Sequence, residues 1–215
     1  MSTPHLRGLV ALPVPEASVL LLIDHQPPQY LYSHDPTTVS ETVLALAETA
    51  QALGVPTVLT TLMAERNGPL LHPLQDVFGE HKPIDRPLVD SWDDRRVTDA
   101  VLGTGRKNLI IAGMHTETSV CMPALRAVGE GLDVHVVTDA CGGVAAESHD
   151  DIVRHLARTG VTPVTWELAG AAWLRERARR ATGTAPGTAV TRSGEGAATS
   201  FAWARPLLAV PSFGL

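Results

Sequence analysis

Apolar and polar positions fall along this chain in blocks of two lengths. Short, nearly unbroken apolar runs occupy residues 18–23 (SVLLLI), 56–62 (PTVLTTL), 109–112 (LIIA), 134–137 (VHVV) and 161–167 (VTPVTWE). Runs of this length, rich in Val, Ile and Leu, predict short strands, most of them buried on both faces of a parallel sheet. Longer segments between them space apolar residues three and four apart. Residues 38–53 carry Val39, Val43, Leu46 and Ala50 on one face and stop at Gly54, which predicts a helix. Further helices are predicted at 74–78, from Ser91-Trp92-Asp93-Asp94 to about Leu102, and at 120–130, 148–159 and 169–181. Asn67-Gly68-Pro69 reads as a loop. Strand and helix alternate, so the expected fold is α/β: three αβα layers with a mainly parallel, Rossmann-like sheet of about six strands.

One domain is expected over residues 1–182. Residues 183–215 read as an arm, Gly/Ala/Thr-rich and then apolar from Phe201, of a kind that docks on a neighbouring subunit. The chain is 44% hydrophobic and 19% charged, with a formal net charge of −6, which points away from a nucleic-acid surface. Its two cysteines, Cys121 and Cys141, give no disulfide framework, and no apolar run approaches membrane-spanning length. The N-terminus has no signal-peptide pattern. A cytoplasmic protein with no membrane partner is expected.

The strongest pattern is 107–143: strand, turn, helix, strand, one βαβ unit. Ligands of parallel sheets sit beyond the carboxyl ends of the strands. Three elements are expected to converge there: Asp24, directly after the first apolar run, Arg86, and the turn at 115–121 after the third, with His115, Thr116, Glu117, Thr118 and Ser119. Other motifs are absent. GTGRK at 103–107 precedes a strand, so it is not a dinucleotide loop, and neither HExxH nor GxSxG occurs. His149 and His155 lack the spacing to share a helix face. No metal and no cofactor are expected.

Four segments carry a family likeness: VLLLIDHQ (19–26), NGP (67–69), RPLVDSWDD (86–94) and the long 109–143 stretch LIIAGMHTETSVCMPALRAVGEGLDVHVVTDACGG. Over roughly residues 10–180 the chain resembles the cysteine hydrolase (isochorismatase-like) family, and within it the YcaC-like branch. The resemblance implies a hydrolase with Asp24 as proton acceptor, Arg86 as the basic residue and position 119 as nucleophile. Backbone N–H groups at 115–119 would then form an oxyanion hole, with Gln26, Trp92, His115, Thr116 and Thr118 contacting substrate or oxyanion. It also implies a cis peptide between His115 and Thr116, a small-molecule substrate, and a homo-oligomer, tetrameric or octameric. The D-x-H metal pattern of the family's nicotinamidase branch is missing after the second strand.

Two residues depart from the family pattern. Six positions after Gly113 the family has its cysteine; here that position is Ser119. Cys121 lies two residues further, about 200° around a helix, so it is expected to face away as a small buried side chain. Cys141 is expected to be structural. Arg86 stands where the family usually has Lys, and a guanidinium cannot shuttle a proton at neutral pH. A carboxylate of pKa about 3.9 can help ionise a thiol of pKa about 8.5, but a serine hydroxyl usually needs an imidazole. Ser119 therefore marks a natural serine variant, a degenerate hydrolase or a replaced cysteine. Three functions remain open. The first is an amidase-type hydrolase of a small carbon–nitrogen substrate. The second is a cysteine-independent vinyl-ether hydrolase with Asp24 as proton donor. The third is a catalytically disabled oligomeric binding protein.

Overall fold

The structure, a computed structural model, describes residues 12–182, so the proposed arm lies outside the described residues. Six strands form one all-parallel sheet: β1 (Ser18–Ile23), β2 (Thr57–Leu62), β3 (Ile84–Arg86), β4 (Asn108–Gly113), β5 (Asp133–Val137) and β6 (Thr162–Val164). Their order is β3-β2-β1-β4-β5-β6. The chain steps outward from β1 to β2 and β3, returns to β4 on the other side of β1, and steps outward again. The reversal between β1 and β4 is a topological switch point, where two neighbouring loops diverge and leave a crevice.

The helices are α1 (Pro27–Tyr30), α2 (Pro36–Ala52), α3 (Ala64–Asn67), α4 (His72–Phe78), α5 (Arg95–Leu102), α6 (Cys121–Gly129), α7 (Ala146–Arg158) and α8 (Trp166–Thr182). Side chains alternate across a strand, and the sheet accordingly feeds two cores. Val19, Leu21, Ile23, Leu109 and Ile111 pack with Val97 and Val101 of α5, Ala124 and Ala127 of α6, and Leu156 of α7. Leu20, Leu22, Ile110 and Ala112 pack with Val43, Leu46 and Ala47 of α2, Leu74 of α4, and Trp173 of α8. β1 is buried along its whole length, as a central strand covered on both sides must be. Three layers result, as the apolar runs predict.

The helix α1 has no predicted counterpart, and α3 forms one turn where a loop is expected around Asn67. The other predicted boundaries hold to a few residues, with three differences. β3 has no apolar run to announce it: only Ile-Asp-Arg, held as an edge strand by its register on β2 (Thr60 opposite Ile84, Leu62 opposite Arg86). The last strand is shorter than 161–167, because the Asp139 carboxylate accepts the Trp166 N–H (2.9 Å) and Trp166 already begins α8. The segment 91–102 is two capped pieces. Asp90 caps a 3₁₀ turn (Ser91–Asp93) and Asp94 caps α5, each accepting a backbone N–H at 2.9 Å.

Candidate active site

The register of β1 on β4 places Ile23 opposite Gly113, and the Met114 N–H donates to Ile23 O at 3.0 Å. The chain leaves both strands side by side at the switch point. Asp24 turns out of β1 at φ 57°, and His115 turns out of the extension of β4 at φ 59°. Both are left-handed, a conformation non-glycine residues seldom adopt and one that recurs at functional sites. No peptide among the described residues is cis, so the expected cis bond at His115-Thr116 is absent. The left-handed His115 reverses the chain there instead.

Asp24 is fully buried. Its Oδ2 accepts from Arg86 Nη2 at 2.7 Å, an ion pair with both side chains at 1% exposure or less. Its Oδ1 accepts from the Thr60 hydroxyl at 3.2 Å. Arg86, the last residue of β3, reaches this point from two strands away. Its Nη1 donates to the carbonyls of Leu88 and Val89 (3.0 Å to the latter), and its Nε is buried without a partner among the described residues. Burial pushes the Asp24 carboxyl above its ordinary range; Arg86, Thr60 and the nearby His115 imidazole oppose that shift. Removal from water outweighs the pairing here, as it often does for buried ion pairs.

The turn after β4 is a π turn, Thr116–Val120, running into α6. Such wide turns in helices are rare and concentrate at functional sites. Ser119 sits on it at 1% exposure, and its hydroxyl has no hydrogen-bond partner among the described residues. Two of the expected oxyanion donors are already engaged: the Thr116 N–H by Gly142 O and the Thr118 N–H by His115 O, both at 3.0 Å. The N–H groups of His115, Glu117 and Ser119 meet no carbonyl outside the turn among the described residues, and these three are the candidates that remain.

The other candidates divide. His115 is half-buried, with Nε2 2.5 Å from Gln29 Oε1. Thr116 is buried and its hydroxyl pairs with His149 Nδ1 at 2.9 Å, while Thr118 is exposed. Gln26 follows Asp24 but stitches backbone: Oε1 accepts the Leu62 N–H (2.8 Å) and Nε2 donates to Gly68 O (2.5 Å). It shapes the loop around NGP. Trp92 lies in the core with Val97 and Cys121 and donates its indole N–H to Glu130 at 2.9 Å. Cys121 is in that core too, with burial raising its thiol pKa; Cys141 is buried and pushed to about 12 by the same cause. Neither thiol is poised as a thiolate. No group of three or more metal-ligating side chains occurs among the described residues.

Thr60, Gln29 and the carbonyls of Leu88 and Val89 were beyond sequence reasoning. Thr60 carries a usable signal, a hydroxyl inside an otherwise apolar strand beside β1. Gln29 carries none.

An ion pair buried at the switch point of a parallel sheet, with a π turn leaving the strand next to it, defines a class. The chain belongs to the isochorismatase family: the isochorismatase domain matches residues 18–168, and its broad class is an isochorismatase-like hydrolase. The relatives narrow this. "Probable hydrolase YcaC" of Escherichia coli (strain K12) is 39% identical over 158 residues, covering 69% of this chain and 74% of that protein. The crystal structure of the E. coli YcaC gene product, described as an octameric hydrolase of unknown specificity, superposes with a TM-score of 0.75 at 33% identity, covering 84% of this chain and 90% of that one. YcaC from Pseudomonas aeruginosa, solved with hexane-2,5-diol and covalent acrylamide, gives 0.74 at 33% identity, covering 81% and 86%.

Proposed function

We propose that the protein hydrolyses a small carboxamide-type substrate through Asp24, Arg86 and Ser119. The observation that carries this reading is the buried Asp24–Arg86 pair at the switch point. Asp24 takes the Ser119 proton as Oγ bonds to the amide carbon. The N–H groups of Glu117 and Ser119 hold the oxyanion. On collapse the C–N bond breaks, its electron pair stays on nitrogen, and Asp24 returns the proton to the leaving ammonia. Arg86 holds Asp24 in place and moves no proton. The raised carboxyl pKa narrows the gap to the serine hydroxyl, though that gap stays wide and turnover is expected to be slow. The acrylamide bound covalently in the Pseudomonas aeruginosa relative, a small carboxamide, is consistent with this substrate class.

The test is ammonia release from a panel of small carboxamides. Ser119→Ala should abolish turnover, and Ser119→Cys should raise it above that of the unaltered chain. A Ser119→Ala chain as active as its parent overturns the assignment.

One observation favours a second reading. Burial stabilises the protonated Asp24, the form needed to donate a proton to a vinyl ether. Pyruvate release from a chorismate-like ether, unaffected by Ser119→Ala, would select it. A homo-oligomer is proposed in either case, since the E. coli relative is an octamer; light scattering on the full chain tests that.

A further inference from the structure

The proposed first half-reaction leaves an acyl ester on Ser119, and water must then attack it. That step needs a base that water can reach. Asp24 is ill suited: it is fully buried, with one oxygen on Arg86 and the other beside the Thr60 hydroxyl. The Arg86 guanidinium only donates and has no lone pair to take a proton. His25, next in sequence, is buried at 0% exposure with Nδ1 2.7 Å from the Tyr30 hydroxyl, and burial holds its pKa at about 3. Among the described residues of the turn and of the loop after β1, His115 is the half-buried imidazole whose charge is felt at Asp24.

Its setting fixes more than its position. The left-handed backbone at His115 turns the residue out of line with β4. Gln29, on α1, presents an amide oxygen to Nε2 at 2.5 Å. That oxygen only accepts, so Nε2 carries the hydrogen and Nδ1 keeps its lone pair in the neutral ring. A base whose tautomer is set by a third group is the arrangement that activates hydroxyls and water elsewhere. The other titratable groups of the site are Asp24 after β1, paired with Arg86 of β3, Glu117 on the same turn, and His149 of α7 on the Thr116 hydroxyl.

We infer that His115, with its tautomer set by Gln29, is the base that activates water in the second half-reaction. This rests on the reading above. Nδ1 takes a proton from water as the water oxygen bonds to the ester carbon. The C–Oγ bond then breaks, its electron pair goes to Ser119 Oγ, and the imidazolium returns the proton there. Carboxylic acid and free serine result, and atoms and charge balance.

The experiment follows acylation and deacylation separately, with 4-nitrophenyl acetate as probe on the full chain and acid-quenched intact-mass analysis for an acetyl adduct. His115→Asn suits the left-handed position, which asparagine tolerates. It should still release nitrophenolate in a burst, accumulate the adduct at Ser119, and turn over about 100-fold more slowly. Gln29→Glu tests the positioning role. A carboxylate beside the Nε2 hydrogen favours the imidazolium, so the rise of steady-state rate with pH should move to higher pH. Two unchanged phases in His115→Asn overturn the inference, as does loss of the burst with the fold intact or a pH profile unmoved by Gln29→Glu. Failure of the underlying reading looks different: no adduct at position 119 in any chain, including Ser119→Cys.

Discussion

Arg86→Leu is the sharpest probe of the buried pair, because it removes the guanidinium paired with Asp24 and leaves the carboxylate enclosed. The side chain is 1% exposed and Asp24 is 0% exposed, so no solvent is there to substitute for the guanidinium. Breaking a buried pair from one side costs about 3–5 kcal/mol, against about 0–1 kcal/mol for an exposed one. A domain of this size holds roughly 5–15 kcal/mol, so the variant should fold with a large part of its stability gone. The carbonyls of Leu88 and Val89 also lose their donor, but both residues are exposed and water can replace it. The loss should depend on pH, with a sign that follows from linkage. Asp24 is already raised in the folded state, so the folded chain binds its proton more tightly than the unfolded chain. Its contribution therefore falls as pH rises from the unfolded value, about 3.9, through the raised folded value. Without Arg86 the folded value rises further, so the deficit of the variant should be largest at neutral pH and shrink on acidification. Guanidinium denaturation at several pH values measures this. The double variant Asp24→Leu/Arg86→Leu should recover most of the loss. A deficit below about 1 kcal/mol at neutral pH, or one that grows on acidification, refutes the reasoning.

Two further outcomes are expected. A Cβ at Gly113 would lie 2.7 Å from Ile23 Cβ and 2.9 Å from Ile23 O, so Gly113→Ala should cost about 1–3 kcal/mol and displace the π turn from β1. Thermal melting and esterase rate should fall together, and a fully active variant of unchanged Tm would argue against that crowding. His25 has its folded pKa depressed to about 3 by burial, so the folded chain binds fewer protons there and the associated stability is lost as pH falls from about 6.5 toward 3. His25→Gln should flatten that slope in denaturation curves, and an unaltered slope would show that His25 does not set it.

The sheet was legible because its strands are buried on both faces: a run such as Ser18–Ile23 has nowhere polar to turn, and its apolar letters declare it. β3 was not, since three residues at an edge are fixed by their neighbour and not by their own pattern. Asp24 and Ser119 could be singled out because strand ends and turns are counted along the chain. Gln29, Thr60 and the Leu88 and Val89 carbonyls could not, because what recruits them is proximity between segments distant in sequence. Gln26 and Trp92 show the converse. Each stands in a motif beside the site, yet the nearest unsatisfied group was a carbonyl in one case and a carboxylate in the other, and each side chain went there.

The π turn sets the phase between the sheet and α6. An ordinary α turn advances about 100° per residue, and a π turn accommodates one residue more in nearly the same rise. A chain one residue shorter between His115 and Cys121 would close a normal turn and rotate α6 against everything before it by about that angle. Val120 and Cys121, now in the core, would lose their seats among Ile111, Ala124 and Trp92. Which side chains the turn and α6 turn inward is thus governed by the length of the turn as well as by its letters, so this edge of the sheet can be remodelled by insertion or deletion with no residue substituted.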